Sequence, residues 1–228
     1  INGTLVSDRF GFLAYAAGQV RDDQSEDVIS PPAYLARAKE LAFRPEQLSF
    51  EKVTRFLDIS RNELAGARSG GYRRGNLINN FVLTYATAET YRQVGVDLLH
   101  RPADLTAVYF EFIDAMGHLF MPYAPPRRAG VSVADFDRYR DAVKIAYVEM
   151  DRIIGSLVEA AGDSTVVMIA SDHGFLSGDR RPTGSAAMDA GQAARWHRDP
   201  GVLVLNGPGI RAGARLQQAG VMDVAPTL

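Results

Sequence analysis

Thr165-Val-Val-Met-Ile-Ala-Ser-Asp-His-Gly174 is the stretch on which the fold turns, an apolar run that breaks off into an aspartate, a histidine and a glycine. Val166 to Ala170 shows no polar alternation, which suits a strand buried on both faces of a parallel sheet. Ligands of open α/β sheets collect beyond the carboxyl ends of the strands, where Asp172 and His173 fall. A carboxylate and an imidazole are both good donors to a divalent ion such as zinc. A turn capped by Asp172, with His173 merely exposed, accounts for the dipeptide alone equally well.

Working outward, the strand is preceded by a helical stripe of Phe136, Val143, Tyr147, Met150, Ile154 and Leu157, which Ser132 can cap and Gly162 can close. Before it, Ala107-Val-Tyr-Phe-Glu-Phe-Ile113 has the β-branched and aromatic content of a strand and leads into Asp114. Strand, helix, strand over 107–170 makes a βαβ unit with parallel strands and a right-handed crossover, so Asp114 and Asp172 share one sheet edge. Val202 to Leu205, followed by the turn Asn206-Gly-Pro-Gly209, adds a further strand. The expected class is α/β, a mostly parallel central sheet flanked by helices.

The first hundred residues read differently. Residues 1–29 suggest extended structure and loop, with an acidic patch at Asp22, Asp23, Glu26 and Asp27. Pro31-Pro32 starts a helix with Tyr34, Leu35, Ala38 and Leu41 that Pro45 ends, and Ser49 caps another over Phe50 to Leu57. Gly66 to Gly75 is a Gly- and Arg-rich loop, read as solvated. Leu77, Phe81, Tyr85, Ala88, Tyr91, Val94 and Leu98 then line one face of a long helix that ends near His100, because Pro102 follows. Residues 1–100 are therefore expected to form a helical and loop cap or inserted region packed on a core of residues 101–228.

With 228 residues, 46% of them hydrophobic, the chain can bury a large core. The 25 basic and 27 acidic residues give a formal charge of -2, so no broad basic field exists to grip an extended nucleic acid. The absence of cysteine excludes disulfides, thiolate metal sites and cysteine nucleophiles while leaving the compartment open. No stretch has the apolar length of a membrane span. The start at Ile1 without methionine, and the helix barely begun behind Asp223, suggest a segment of a longer protein.

Chemistry concentrates in three places. Asp114-Ala-Met-Gly-His118 sets a carboxylate and an imidazole four positions apart, with Gly117 permitting a tight backbone course, and Asp172-His173 is a second such pair. His197, in Arg195-Trp-His-Arg-Asp199, precedes the Val202 strand. Three of the four histidines thus fall on loops of one expected edge, while His100 at a helix end reads as structural.

D-x-x-G-H after one strand, S-D-H-G after the next, then a loop histidine ahead of a strand ending in G-P-G resembles the alkaline phosphatase superfamily, most closely its type I phosphodiesterase and nucleotide pyrophosphatase branch. The terminal D-V-A-P-T-L is similar too, so the likeness covers about 105 to 228. It implies phosphoester hydrolysis with two divalent ions, usually zinc, with manganese or iron accepted by the same donors. Asp114, His118 and His197 would hold one ion, while Asp172 and His173 would help hold the other. The nucleophile, a threonine or serine, and a further aspartate have no counterpart in Ile1 to His100 and are expected upstream of Ile1. Two zinc ions need at least six protein donors, and five are present. Asp179, Asp189 and Asp199 are spare carboxylates in loops, ordinarily solvated or capping. The implied partner is a small phosphate-ester substrate. A phosphoglycerate-mutase-like phosphotransferase, often manganese-dependent, carries similar motifs, and a non-catalytic α/β binding module would keep the sheet without the chemistry.

Overall fold

A computed structural model describes residues 3–11, 28–69, 72–184, 186, 192–216 and 218–228. The acidic patch at 22–27 and Asp189 lie outside the described residues. The element order is β1 (Leu5–Val6), β2 (Ile29–Ser30), α1 (Leu35–Leu41), α2 (Phe50–Thr54), α3 (Arg61–Arg68), α4 (Leu77–Leu99), α5 (Phe112–Phe120), α6 (Val133–Tyr139), α7 (Ala142–Ala161), β3 (Val167–Ser171), β4 (Gly174–Phe175), β5 (His197–Arg198), β6 (Val202–Asn206) and α8 (Val224–Thr227). Helices dominate, and α4, α5 and α7 pack on one another at the centre.

The caps explain most helix starts. The side chains of Ser49, Ser60, Asn76 and Ser132 each accept a hydrogen bond from the backbone N–H three residues on, supplying what the first turn lacks. α4 departs from its expected single apolar face. Every residue from Asn79 to Thr90 is buried, because α4 runs through the middle of the molecule. Its Thr87 and Thr90 hydroxyls donate to the carbonyls of Leu83 and Ala86, which makes threonine tolerable there. The one long helix expected behind Ser132 is two, α6 and α7, separated at Arg140-Asp141. Beside the break Tyr139 is buried against the rings of Phe120 and Tyr123. Gly162, at φ +73°, ends α7 as its sequence suggests.

The sheet differs from its expected form. Among the described residues there are three two-stranded antiparallel pairings, β1 with β2, β3 with β6 and β4 with β5, and no mostly parallel central sheet. Ala107 to Ile113 is not a strand: residues 105–111 carry no ladder, and Phe112 opens α5. Phe112, Ala115, Met116, Leu119 and Phe120, all buried, follow helical spacing, and that packing claims the segment. β3 is half-buried at Val167 to Ile169 and exposed at Ala170 and Ser171, so it is not covered on both faces. In β6 the half-buried Leu203 and Leu205 alternate with exposed Val202 and Val204, the pattern of a sheet covered on one side. Gly201 admits this pairing, since a Cβ there would lie 1.8 Å from the Ser171 carbonyl oxygen.

One apolar cluster takes Phe56, Phe81 and Tyr85 from before His100 and Phe112, Phe120 and Ile153 from after it. A smaller one joins Phe10, Val28, Ile29, Tyr34 and Ala38 to Val94 of α4. No helix among the described residues is long and apolar enough to cross a membrane.

Candidate metal centre

Asp114 and His118 are separated by one turn of α5 and therefore project from the same helical face. The Asp114 side chain is 31% exposed, whereas that of His118 is fully buried. β3 ends at Ser171, and its hydroxyl donates to the His173 carbonyl, turning the chain through Asp172 and His173 into β4. β4 pairs antiparallel with β5, placing Phe175 opposite His197, and the Leu176 N–H extends the pairing by donating to the Trp196 carbonyl. That pairing lays the His173 and His197 rings flat on each other, centroids 3.7 Å apart at 11°.

The donors converge on one oxygen. Asp114 Oδ1 lies 3.4 Å from His118 Nε2, 3.5 Å from His197 Nε2 and 3.6 Å from His173 Nε2. It is buried and, among the described residues, has no hydrogen-bond partner. His118 Nε2 and His197 Nε2 are 3.0 Å apart. Asp172 stands at the rim, its side chain 72% exposed and its Oδ1 3.8 Å from His173 Nε2. Asp114, His173 and His197 form a group whose donor atoms all lie within 4.8 Å of one another.

Ring orientation follows from the other nitrogens. His118 Nδ1 is 2.6 Å from the Ala186 carbonyl oxygen, and His173 Nδ1 is 3.2 Å from that of Gly174. A carbonyl only accepts, so each Nδ1 carries the proton and each Nε2 turns a lone pair toward Asp114. This is the outer support that metal-binding histidines ordinarily receive. Ligands about 2.0–2.1 Å from a tetrahedral ion stand roughly 3.3 Å from one another, close to the separations around Asp114 Oδ1. An orphaned carboxylate oxygen facing nitrogen lone pairs thus fits a cation.

Burial, followed by the neighbouring His173, lowers the His197 pKa and favours its neutral, ligating form. Glu111, the residue before α5 and three before Asp114, has a raised pKa, through burial first and then the charges of Asp114 and Asp8. Burial and the same acidic neighbourhood, Glu111, Asp114 and Asp172, raise Tyr109.

All five candidates from the sequence come together here, with His173 as near Asp114 as the other two rings are and Asp172 at the rim. His100 caps the C-terminus of α4. Sequence reasoning missed the Ala186 carbonyl, Glu111 and the role of Phe175. The Phe175 ring packs edge-on against His118 and His197, centroids 4.9 and 5.2 Å away. A Cβ on Gly117 would meet that ring at 2.7 Å, so the glycine in D-x-x-G-H makes room for Phe175 as well as bending the chain. Only the adjacency of Phe175 to S-D-H-G hinted at this.

Imidazoles and carboxylates gathered in this way at strand and helix ends of an α/β chain define a candidate metal site of the kind metallohydrolases use. The profile of the type I phosphodiesterase / nucleotide pyrophosphatase family matches residues 26–224, and the chain belongs to that family, within the alkaline phosphatase superfamily. The match reaches well upstream of the motifs, so α1 to α4 fall inside the family's span. No curated protein and no solved structure matches the chain.

Proposed function

We propose that this chain provides the metal-binding part of a phosphoester hydrolase acting on phosphodiesters or nucleotide pyrophosphates. The unpartnered Asp114 Oδ1, ringed by three imidazole nitrogens, carries the reading. Asp114, His118 and His197 would hold one divalent ion, and His173 with Asp172 would contribute to a second; zinc suits the donors, and manganese is the alternative. Bound there, the ions would supply positive charge facing the phosphoryl oxygens and acidify the attacking hydroxyl. The chain's own groups orient and shield. The Ala186 and Gly174 carbonyls fix two imidazole tautomers, Phe175 keeps water from their inner side, and Asp172 meets solvent where an anionic ester would enter. The nucleophile, a threonine or serine, lies outside Ile1 to Leu228.

The test has two parts. Calorimetric titration of the purified segment with zinc should show binding that D114N and H173A abolish, while bis-p-nitrophenyl phosphate turns over negligibly. Full-length protein should hydrolyse that diester and lose the activity to a chelator. Undiminished hydrolysis by chelated, metal-free protein would exclude the mechanism. Rapid turnover by the segment would overturn only the placement of the nucleophile.

A further inference from the structure

α4 and the start of α5 enclose a small cavity of about 10 Å³. Thr84, Thr87 and Tyr91, on one face of α4, form one wall, and Phe110, Glu111 and Ala115 form the other. The space admits one water-sized atom, for which roughly 10–15 Å³ is needed. Ala115 follows Asp114 directly, so the cavity lies behind the candidate metal centre and uses none of its donors.

Two polar groups in these walls lack partners. Thr84 is 4% exposed, and among the described residues its hydroxyl has no hydrogen-bond partner. Thr87 and Thr90 on the same helix donate to the carbonyls four residues before them. Thr84 does not, so its hydroxyl stands off the backbone on the side that lines the cavity. Glu111 is the second group. Among the described residues no donor reaches its half-buried carboxylate, and the charges that act on it, those of Asp114 and Asp8, are also negative. A buried hydroxyl and a partly buried carboxylate both oppose folding unless something meets them.

The donor set decides what that is. Thr87 and Tyr91 give their hydroxyl protons to the carbonyls of Leu83 and of Ser7 and Asp8, so toward any ligand they act through oxygen alone. Oxygens without imidazole suit a hard cation, and a single carboxylate balances one positive charge rather than two.

We propose that this cavity is a monovalent-cation site in which Glu111 and the Thr84 hydroxyl bind a sodium-sized ion. Bound there, the ion offsets the Glu111 charge and ties α4 to the first turn of α5. The site is independent of the hydrolase reading, and its test needs no turnover. Full-length protein stripped of divalent metal by a chelator is melted in sodium chloride replaced stepwise by choline chloride, which holds the ionic strength constant. The wild-type melting temperature should rise with sodium and saturate. E111Q should abolish the rise, and T84V should raise the half-saturation concentration about tenfold. Both replacements preserve shape, and T84V removes a buried hydroxyl that lacks a partner, so in choline alone it should melt no lower than wild type. D114N, altered at the histidine centre, should still saturate. Sodium-23 relaxation of the folded proteins should rank them in the same order. Three results overturn the inference. A wild-type melting temperature indifferent to sodium leaves only water in the cavity. A rise equal in wild type, T84V and E111Q is general ion binding, and a rise lost in D114N but kept in E111Q puts the ion among the histidines.

Discussion

At Asp114 a carboxylate oxygen, buried and without a donor, faces three imidazole nitrogens, two of them turned toward it by carbonyls behind their rings. Without a cation, lone pairs confront lone pairs, which opposes folding. D114N keeps the shape and replaces an oxygen by an amide that can donate to Nε2. Metal-free D114N should therefore melt at or above the wild-type temperature, while the stabilisation that saturating zinc confers on the wild type, about 2.7 kcal/mol at a hundredfold excess over Kd, should vanish. Differential scanning calorimetry with and without zinc measures both. His197 sets the pH dependence. Its folded-state pKa is lowered, so as the pH falls below about 6.5 the unfolded chain takes up the proton first, and stability drops until the folded-state value is passed. Metal-free H197N should lose less of its melting temperature between about pH 7 and pH 5 than wild type, and the zinc-induced shift of the wild type should shrink over the same window.

The helices were legible because their signals are local, whereas the pairings were not. Ser49, Ser132 and Gly162 act at single positions, and each is where the structure starts or ends a helix. α3 was overlooked although Ser60 and Glu63 form a reciprocal cap, the Ser60 N–H donating to Glu63 at 2.8 Å and the Glu63 N–H to the Ser60 hydroxyl at 3.2 Å. Phe110-Glu-Phe-Ile113 failed for the opposite reason. Its aromatic content fits a strand, but the helical spacing of the residues after it governs where Phe112 packs. The cap at α3 can be tested by acid. The Ser60 N–H and hydroxyl, then Arg138, hold Glu63 down to about 2, so its contribution is complete above the ordinary carboxylate value and fades as the pH falls toward the folded one. Because the carboxylate is exposed and screened, E63Q should cost no more than about 1 kcal/mol near neutrality, and its melting curve should merge with that of wild type in strong acid. Where α5 meets β4 the contact is steric. G117A should cost about 1–3 kcal/mol by urea denaturation and weaken zinc binding, because the displaced Phe175 ring touches both His118 and His197.

Across the whole molecule, what sequence could name was the donors, and what it could not supply was the pairing that brings them together. Asp114, His118, Asp172, His173 and His197 are recognisable by spacing and residue type, yet the short β4–β5 pairing that stacks His173 on His197 has no periodic signature. The cap-and-core division proposed at residue 100 faces a similar limit, since the burial that bridges it comes from distant parts of the chain. Glu149 of α7, with its side chain only 2% exposed, receives hydrogen bonds from Lys52 of α2, Tyr85 of α4 and Arg152, and Arg152 also reaches Glu89 of α4. Three helices from both sides of His100 therefore share one buried charge system, set beside a continuous apolar cluster. Removing the central carboxylate leaves Lys52, the Arg152 Nε–H and the Tyr85 hydroxyl to find water, while Arg152 keeps Glu89. The loss for a broken buried pair is about 3–5 kcal/mol, and the partial exposure of Lys52 and Arg152 puts E149A near the bottom of that range. If residues 1–100 and 101–228 unfold together, as this shared interior requires, urea unfolding followed by circular dichroism and by Trp196 emission should give one coincident transition. E149A should move its midpoint down without changing its slope. Two separated transitions in the wild type would mean that the cap unfolds by itself and that the network joins domains of independent stability.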